Sequence, residues 1–487
     1  MIPLSVILLL IIIVITLFKS VMKPKNYPPG PNWIPYFGCS NVVNIMTKKY
    51  GSQWKALSLL AKEFSTSVLG LKMGMEMVVV VYGEKNIRQV FTEKEFEGRP
   101  DNFFIRLRCL GKRLGITFTD GPMWREQRLF AVKQLRSGGF GKSQMEKEIQ
   151  QEMMYILKYL KKLRGQPCDP HHILATSVMN ILWTYIAGER IEEKRLKHLL
   201  ELLNARSKAF SIAGGLLNQV PWCRFIFPEM SGYSLIKSMN EQISAIIEEH
   251  IEKHKKRLVD GNDFMYSFIE EIENKREGFT EEQLKTICLD VLIAGSQTTS
   301  NVLEFALLTV LRNKSMQQKI YEEINLILGD ATPTWSDMSR LLYTNAFIQE
   351  IYRFYTIVPL MGPRRTLDDT YIDGYFIPKE TTVLMAVGDL HVDPKIWCEP
   401  RKFKPERFID QRGTLKNVEH LYPFGLGRRR CPGDTLAKSF IFIVFVGILQ
   451  KFKVEPIEGN FPSAEPIIGL ISSPRPYLAV FTPRRNE

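Results

Sequence analysis

The sequence has little cysteine, and the cysteines it has follow no pattern. Seven are scattered over 487 residues, an odd number without a Cys-x-x-Cys pair. This scatter excludes a disulfide framework and a zinc ribbon. Internal repeats and low-complexity stretches are absent as well, and a composition of 45% hydrophobic and 24% charged residues excludes a disordered chain. Most of the cysteines are therefore expected to be small buried side chains in a reducing compartment.

Acidic residues are too few to balance the basic ones. Lysine and arginine number 65 against 52 aspartates and glutamates, which gives a formal charge of +13. Such a surface suits an acidic protein, an anionic lipid or a nucleic acid. The basic residues alternate with acidic ones and form no basic-aromatic platform, so a nucleic-acid role is not supported. A dinucleotide site is not supported either, because Gly425-Leu-Gly427 lacks the third glycine and a preceding strand.

Charged residues are absent from the first 18 positions. As a helix this run would span about 27 Å, just enough for one membrane crossing. A cleavable signal peptide is the competing interpretation, but no basic segment precedes the run and no small-residue cleavage site follows it. Lys19, Lys23 and Lys25 come next and predict that the remainder faces the cytosol. We therefore expect a membrane anchor (1–20), a basic, proline-rich elbow (21–35) and a globular domain (36–487).

Helical periodicity dominates the rest of the chain, and the predicted strands are short. The fold is therefore expected to be mainly α-helical with a small β-sheet region. The predicted helices are 53–64, 123–135, 142–163, 179–186, 192–213, 233–258, 263–273, 280–312, 316–328, 344–355 and 435–449. The predicted strands are 68–73, 78–82, 371–372, 382–385 and 477–481. His250 and His254 have metal-ligand spacing, but in their charged run they are expected to be solvated.

Residues 209–232 lack periodicity and contain several large apolar side chains around two prolines. Two interpretations stay open for this segment. It is either a loop that covers the core or a surface that dips into the membrane interface, where tryptophan is favoured.

Cys431 differs from the other cysteines in its surroundings. Three arginines precede it, and these charges, with the N-terminus of the helix that follows, favour its thiolate. Gly425, Gly427 and Gly433 let the backbone come close to a planar ligand. A thiolate in this setting is either an iron ligand or a nucleophile. Since the seven histidines offer no recognisable base for a nucleophile, we favour the metal.

Residues 423–433 resemble the haem-binding signature of the cytochrome P450 family, Phe-x-x-Gly-x-Arg-x-Cys-x-Gly. Phe424, Gly427, Arg429, Cys431 and Gly433 match it. The resemblance covers nearly the whole chain and is closest to microsomal members, insect ones included. It implies haem b with iron ligated by Cys431, and a cytochrome P450 fold preceded by one N-terminal transmembrane helix.

Further segments are similar to family motifs that stabilise the fold and hold the haem. The resemblance implies a buried ion network of Glu350, Arg353 and Arg407. Glu350 and Arg353 lie three residues apart on one helix, and Arg407 lies further along the chain. The residues implied to hold the two haem propionates are Trp124, Arg128, Arg364 and Arg429. Arg364 stands where many relatives have histidine, and Arg365 competes for the role.

Residues 294–299, Ala-Gly-Ser-Gln-Thr-Thr, resemble the oxygen-activation segment of the family. Gly295 and two threonines in mid-helix indicate a local opening where a ligand approaches. Thr298 takes the place of the threonine that steers protons to bound dioxygen. Gln297 replaces the usual acid, and an amide can hydrogen-bond a water but cannot carry a proton as a carboxylate does.

The resemblance implies a haem-thiolate monooxygenase of the endoplasmic reticulum membrane with a cytosolic catalytic domain. One atom of O2 enters a small hydrophobic substrate as a hydroxyl or epoxide, with electrons from NADPH delivered by a separate flavoprotein reductase. Cytochrome b5 and membrane lipid are further implied partners. The implied substrate pocket is apolar: Phe103, Phe104, Leu114, Phe118, Phe210, Ala294, Val358, Leu360 and Ile471.

Two alternatives remain open at this stage. Gln297 favours a haem-thiolate isomerase or dehydratase acting on a peroxide or an oxime, whereas Thr298 opposes it. The second alternative is a non-catalytic protein that binds haem and hydrophobic ligands.

Overall fold

The computed structural model describes residues 4–209, 217, 220–256 and 263–484. Within them most of the regular structure is helical. The helices are α1 (Leu4–Val21), α2 (Ser40–Tyr50), α3 (Gln53–Glu63), α4 (Glu84–Thr92), α5 (Phe103–Arg108), α6 (Gly121–Ser137), α7 (Ser143–Lys162), α8 (Pro170–Ala187), α9 (Glu193–Ala209), α10 (Cys223–Ile226), α11 (Tyr233–Lys255), α12 (Phe264–Glu273), α13 (Glu281–Arg312), α14 (Lys314–Ile327), α15 (Leu342–Tyr355), α16 (Val387–Leu390) and α17 (Asp434–Lys451). Short 3-10 turns include Pro405–Phe408 and Gly427–Arg429.

The strands form one four-stranded sheet and three two-stranded ribbons in the described part of the chain. They are β1 (Val68–Met73), β2 (Glu76–Val81), β3 (Met361–Arg365), β4 (Thr370–Ile372), β5 (Tyr375–Ile377), β6 (Thr382–Met385), β7 (Phe452–Glu455), β8 (Ile467–Ile468), β9 (Ser472–Ser473) and β10 (Val480–Pro483). The larger sheet has the order β1-β2-β6-β3, and the ribbons pair β10 with β7, β4 with β5 and β8 with β9. β1 and β2 are antiparallel, while β2 and β6 run parallel.

Two apolar helices occupy the centre of the molecule. α17 is apolar on all its faces and contains an unbroken run of buried residues, 439–449. α13 is buried along most of its 32 residues and packs against α8 and α17. A helix that is hydrophobic all round belongs in a core, so these two helices form the frame on which the other helices pack.

The expected helix 179–186 is only the second half of a longer helix. α8 begins at Pro170, because the Asp169 side chain accepts a hydrogen bond of 2.9 Å from the His171 backbone N–H and proline suits the first helical turn. The helices α2, α4 and α5 lie in segments for which no helix was predicted.

The expectation that His250 and His254 are solvated is wrong. They are 3% and 1% exposed. His250 meets the ring of Trp183 edge to face, and Nε2 of His254 lies 3.1 Å from an oxygen of Asp263. Both partners lie outside the charged run that suggested solvation, so local charge patterning could not reveal the contacts.

α1 carries the apolar run at the N-terminus, and many of its side chains are exposed, among them Ile12 and Phe18. Across the residues described, no helix combines the length and the apolarity that a membrane crossing requires. The predicted transmembrane helix therefore stays a prediction.

Candidate active site

Cys431 lies between the turn Gly427–Arg429 and the first residue of α17. Its backbone N–H donates to the carbonyl of Phe424 at 2.9 Å, which closes the loop around the thiol. Burial raises the pKa of the Cys431 thiol, and Asp434 adds to this effect. The Gly433 N–H and the charges of Arg128 and Lys438 act in the opposite direction on the pKa. The thiol is thus held with donors and cations beside it, which suits a metal-bound thiolate.

The three arginines before Cys431 differ in their contacts. Arg428 pairs with Glu97 at 3.3 Å, and Arg430 lies 4.0 Å from Asp434; both side chains are about 60% exposed. Arg429 turns inward and stacks on Trp124. Arg428 and Arg430 therefore point to the surface, and the expected effect of the three charges on the thiolate stays a prediction.

Gly427 is needed for packing of the protein chain. Its φ is +71°, and a Cβ at this position would lie 2.3 Å from the carbonyl oxygen of Phe91 at the end of α4. The loop therefore approaches another backbone here, which only glycine permits. The expected approach of the loop to a planar ligand stays a prediction.

Trp124 and Arg429 present buried donors without partners. The guanidinium carbon of Arg429 lies 3.5 Å from the centre of the Trp124 ring. The indole Nε1 of Trp124 and both terminal nitrogens of Arg429 are buried and have no hydrogen-bond partner among the described residues. Buried donors of this kind are costly unless a ligand satisfies them. Carboxylate groups would satisfy all three nitrogens.

Arg99 belongs to the same cluster and was not predicted. Its backbone N–H donates to Asp120 at 2.7 Å, its side chain donates to the carbonyl of Pro363, and its Nε is another buried donor without a partner in the described chain. Its neighbour Gly98 has no room for a side chain, because a Cβ would lie 2.5 Å from the carbonyl oxygen of Arg365. The Gly-Arg-Pro sequence at 98–100 is the signal that could have pointed to a fixed arginine here.

The cluster is strongly positive. Burial, followed by the neighbouring guanidinium groups, lowers the pKa of Arg99 to about 10 and the pKa values of Arg364 and Arg429 to about 8. Arg364 is only 3% exposed. Two carboxylates placed among these groups would supply the missing negative charge. The two propionates of haem fit both the charge and the unpaired donors.

The other two candidates for propionate binding have protein partners. Arg365 pairs with Asp120 at 2.9 Å and with Glu380, so it does not compete with Arg364. Arg128 donates to the carbonyl of Arg430 in the cysteine loop. The guanidinium group of Arg128 thus also fixes the backbone next to Cys431.

The oxygen-activation segment lies within α13, which continues through it without a break. The hydroxyl of Thr298 donates to the carbonyl of Ala294 at 2.8 Å. Ala294 itself is exposed although it lies in the middle of a mostly buried helix, so this face borders open space. The expected helix opening at Gly295 is wrong. Gly295 instead leaves room for the side chain of Leu182 in α8, because a Cβ at position 295 would lie 2.2 Å from Cδ1 of Leu182.

Gln297 links two helices. Its amide nitrogen donates to the side-chain oxygen of Asn204 in α9. The amide that replaces the family's acid therefore connects α13 to α9. A carboxylate at position 297 could not donate this hydrogen bond.

Glu350, Arg353 and Arg407 are in contact. Arg353 makes two hydrogen bonds of 2.7 and 2.8 Å to the Glu350 carboxylate, and Arg407 makes a third of 3.1 Å. Glu350 and Arg353 are fully buried. Arg353 also donates to the carbonyls of His391 and Pro400, so the network holds the irregular segment 391–407 against α15.

A model of the cytochrome P450 family matches residues 28–481. The chain belongs to the cytochrome P450 family. It is 40% identical to "Probable cytochrome P450 305a1" of Drosophila melanogaster, with 97% of each chain covered. It is 35% identical to the farnesoate epoxidase of Bombyx mori, over 98% of this chain and 99% of the relative. It is 32% identical to cytochrome P450 2C3 of Oryctolagus cuniculus, over 97% of both chains.

As a cytochrome P450, the protein is a haem- and O2-dependent enzyme. The pocket residues expected for it lie on several elements. Phe104, Phe118 and Leu360 are buried, whereas Phe103 contacts Arg224 near the surface. Ile471 and Val358 lie on neighbouring loops, because the Ser472 N–H donates to the carbonyl of Ile357 at 2.7 Å. Leu114 is half-buried, and Phe210 lies outside the described residues.

Proposed function

We propose that this cytochrome P450 inserts one atom of O2 into a small hydrophobic substrate, by hydroxylation or epoxidation. The second oxygen atom leaves as water, and NADPH supplies the two electrons through a separate flavoprotein reductase. The observation that carries the proposal is the buried set of unpaired donors around Trp124 and Arg429, next to the loop of Cys431. Haem carries two carboxylates, and in cytochromes P450 its iron takes a cysteine thiolate as a ligand.

The chain's own residues hold and orient this group. Cys431 would ligate the iron, while Trp124, Arg99, Arg364 and Arg429 would donate hydrogen bonds to the propionates. When bound, the haem supplies the activation of dioxygen, and the protein supplies position and electrostatics. The roles of Phe424, Gly427 and Gly433 are to shape the loop that presents the thiolate.

Thr298 is proposed to hold and pass a proton on the substrate side. Its hydroxyl donates to the Ala294 carbonyl, so its own oxygen remains an acceptor for a water molecule. Rotation of the hydroxyl would turn the same oxygen into a donor. Gln297 is proposed to fix this region by holding Asn204 and to orient water through its amide, without relaying a proton itself.

The reductase is proposed to dock on the basic surface beside the cysteine loop. Arg125, Arg428 and Arg430 are each about 60% exposed on this side. Lys133, which is exposed, and Lys438 are proposed to belong to the same face by resemblance to the family. An acidic partner, with cytochrome b5 as a second one, would be attracted by these charges.

Membrane attachment is proposed through the N-terminal helix α1, at the endoplasmic reticulum. Its apolar side chains are exposed, and a second exposed patch contains Trp222 and Phe225. Trp222 donates to the hydroxyl of Tyr36 at 3.3 Å, so this patch lies beside the segment that follows α1. Large exposed apolar surfaces of this kind mark sites of membrane contact.

The test is oxygen incorporation by the purified holoenzyme. With added reductase, NADPH and ¹⁸O₂, we expect one ¹⁸O atom in each product molecule and NADPH consumption that depends on substrate. Turnover of a peroxide or an oxime without NADPH would instead establish the isomerase or dehydratase alternative. Ligand-induced spectral shifts without any product would establish the binding protein.

A further inference from the structure

A groove of about 800 Å³ lies between helix α7, helix α14 and the end of helix α17. The loop after α14 and the end of strand β10 complete its walls. α17 begins three residues after Cys431, and the groove lies at the other end of this helix, about 27 Å along its axis. It is therefore separate from the cysteine loop. A groove of this volume can hold a small organic molecule.

Hydrogen bonds across the groove fix its walls. The amide nitrogen of Gln450 donates to the carbonyls of Gly329 and Ala331 at 2.8 and 2.9 Å, which holds the loop after α14 against α17. Arg484, which follows β10, donates at 2.8 Å to the carbonyl of Leu449 near the end of α17. The groove is thus formed before any ligand enters, and a preformed site loses little conformational freedom on binding.

The lining of the groove is largely apolar and aromatic. Met154 and Tyr155 of α7 are both more than half exposed, although their side chains are large. On the opposite wall, the guanidinium carbon of Arg484 lies 3.8 Å from the centre of the Tyr321 ring. Phe452 also lines the groove. Large apolar side chains exposed in one concave surface mark a binding site, and aromatic rings favour a flat aromatic ligand.

The charge of the groove is positive. Its lining contains four basic residues, Lys158, Lys161, Lys451 and Arg484, and one acidic residue, Asp330. Asp330 lies 3.5 Å from Lys451. Lys158 and Lys161 form no ion pair with any residue that the structure describes. Three positive charges thus remain in excess, and an anion would complement them.

We propose that this groove binds a small aromatic anion, a compound with a flat hydrophobic ring system and one carboxylate, sulfate or sulfonate group. The rings pack between Tyr155 and Tyr321. The anionic group lies at Lys158 and Lys161, which are three residues apart and therefore share one face of α7. The site goes beyond the proposed monooxygenase function and does not depend on it. Its ligand is not the substrate, because the groove and the cysteine loop lie at opposite ends of α17.

The first experiment compares a charged probe with its neutral counterpart. Anilinonaphthalene sulfonate and phenylnaphthylamine share one ring system and differ in the sulfonate group. Their binding to the holoenzyme is measured by equilibrium dialysis, with an excess of the uncharged imidazole clotrimazole to suppress binding in the substrate pocket. We expect one sulfonate probe per chain, bound at least about tenfold more tightly than the neutral probe, since a hydrogen bond to a charged group has that effect. Equal binding of the two probes would overturn the proposal.

Charge variants locate the anion. Lys158→Gln combined with Lys161→Gln should weaken binding of the sulfonate probe about tenfold and leave binding of the neutral probe unchanged. Lys147→Gln is the matched control, because Lys147 is exposed on the same helix about 16 Å before Lys158. An equal loss in this control would show a general effect of surface charge and would overturn the site. Asp330→Asn removes the one carboxylate of the lining, so it should strengthen sulfonate binding severalfold, which damage to the fold would not do.

A filled groove tests the position of the site. Asn325 is exposed and lines the groove, so Asn325→Trp should abolish binding of the sulfonate probe while the circular dichroism spectrum stays that of the wild type. Binding that survives this change would place the probe elsewhere and contradict the proposal. Deletion of residues 485–487 should leave the affinity unchanged. A rise of about tenfold on this deletion would show that this segment, and not a small anion, occupies the groove.

Discussion

Individual side chains in this cytochrome P450 combine packing and chemical roles, and Thr298 is the clearest case. Its hydroxyl is held by the carbonyl of Ala294 one turn back in α13. Such a bond satisfies the backbone and leaves the oxygen free to accept. The same geometry occurs at Thr309, which donates to Phe305 at 2.7 Å deep in the core. The two threonines therefore differ in surroundings and not in local structure.

Thr298→Ala should uncouple NADPH consumption from product formation while haem stays bound. The physical reason is that the variant loses the hydroxyl that holds water on the substrate side, so reduced oxygen is released as peroxide. We expect the ratio of product to NADPH to fall by about tenfold or more, since a positioned proton-transfer group contributes about 10²- to 10⁴-fold to a rate. The ratio is measured with purified reductase.

Thr309→Ala is the matched control, because it removes the same kind of bond from the same helix. It should leave the ratio of product to NADPH unchanged. Fully coupled turnover by Thr298→Ala would rule out the proton-steering role.

The burial of His391 makes the free energy of unfolding depend on pH. It is fully buried, its Nδ1 lies 2.9 Å from the hydroxyl of Thr356, and its Nε2 accepts from the Tyr422 N–H at 3.3 Å. Burial, followed by the charge of Arg353, lowers the pKa of His391 to about 3. Below pH 6.5 the unfolded chain binds a proton here that the folded chain does not bind. The free energy of unfolding therefore falls as the pH drops, by about 1.4 kcal/mol per pH unit.

His391→Gln should flatten this dependence. Urea unfolding at pH 7 and pH 5 should show a drop in free energy that is smaller by about 2 kcal/mol than in the wild type. His172→Gln, a change at an exposed histidine, should keep the wild-type drop. An unchanged drop in His391→Gln would show that His391 does not cause the acid sensitivity.

Among the elements, α15 depends on a buried ion network. Removing Glu350 leaves Arg353 without its two carboxylate bonds and Arg407 without one. Glu350→Ala should lower the free energy of unfolding by about 3 to 5 kcal/mol, because it leaves a buried charge uncompensated. Urea unfolding of the purified protein measures this loss.

Glu322→Ala, at an exposed position of the neighbouring helix α14, should have an effect below about 0.5 kcal/mol. If Glu350→Ala does not accumulate, Glu350→Gln, which keeps the shape and loses the charge, is measured in its place. A loss of less than about 1 kcal/mol for the Glu350 variant would contradict the role of the network.

Strands and long helices could be predicted because their signals are local. The predicted strands 68–73 and 382–385 match the bounds of β1 and β6. The contacts that could not be predicted join distant parts of the chain. Arg99 contacts Pro363, and His250 contacts Trp183, across long sequence separations. Gly295 was misread for the same reason, because its need for space comes from Leu182 in another helix.

At the scale of the whole molecule, one helix, one strand and one loop converge on a site built for a bound group. α6 supplies Trp124, β3 supplies Arg364, and the loop before α17 supplies Arg429 and Cys431. The sequence motifs named three of these residues with their family roles, and the resemblance also named Arg364 in place of histidine. The clustering of buried arginines around Trp124 and their unpaired donors become visible only in the folded chain.

The central claim is that Cys431 is the iron ligand, and the reduced carbon monoxide difference spectrum of the membrane-expressed protein tests it most directly. The wild type should show the Soret band of a haem thiolate, and Cys398→Ser, a change at an exposed cysteine, should show the same band. Cys431→Ser should lose that band, because a hydroxyl would not replace a thiolate as the iron ligand. A normal thiolate band in Cys431→Ser would contradict the assignment, and so would the absence of the band from folded, haem-loaded wild-type protein.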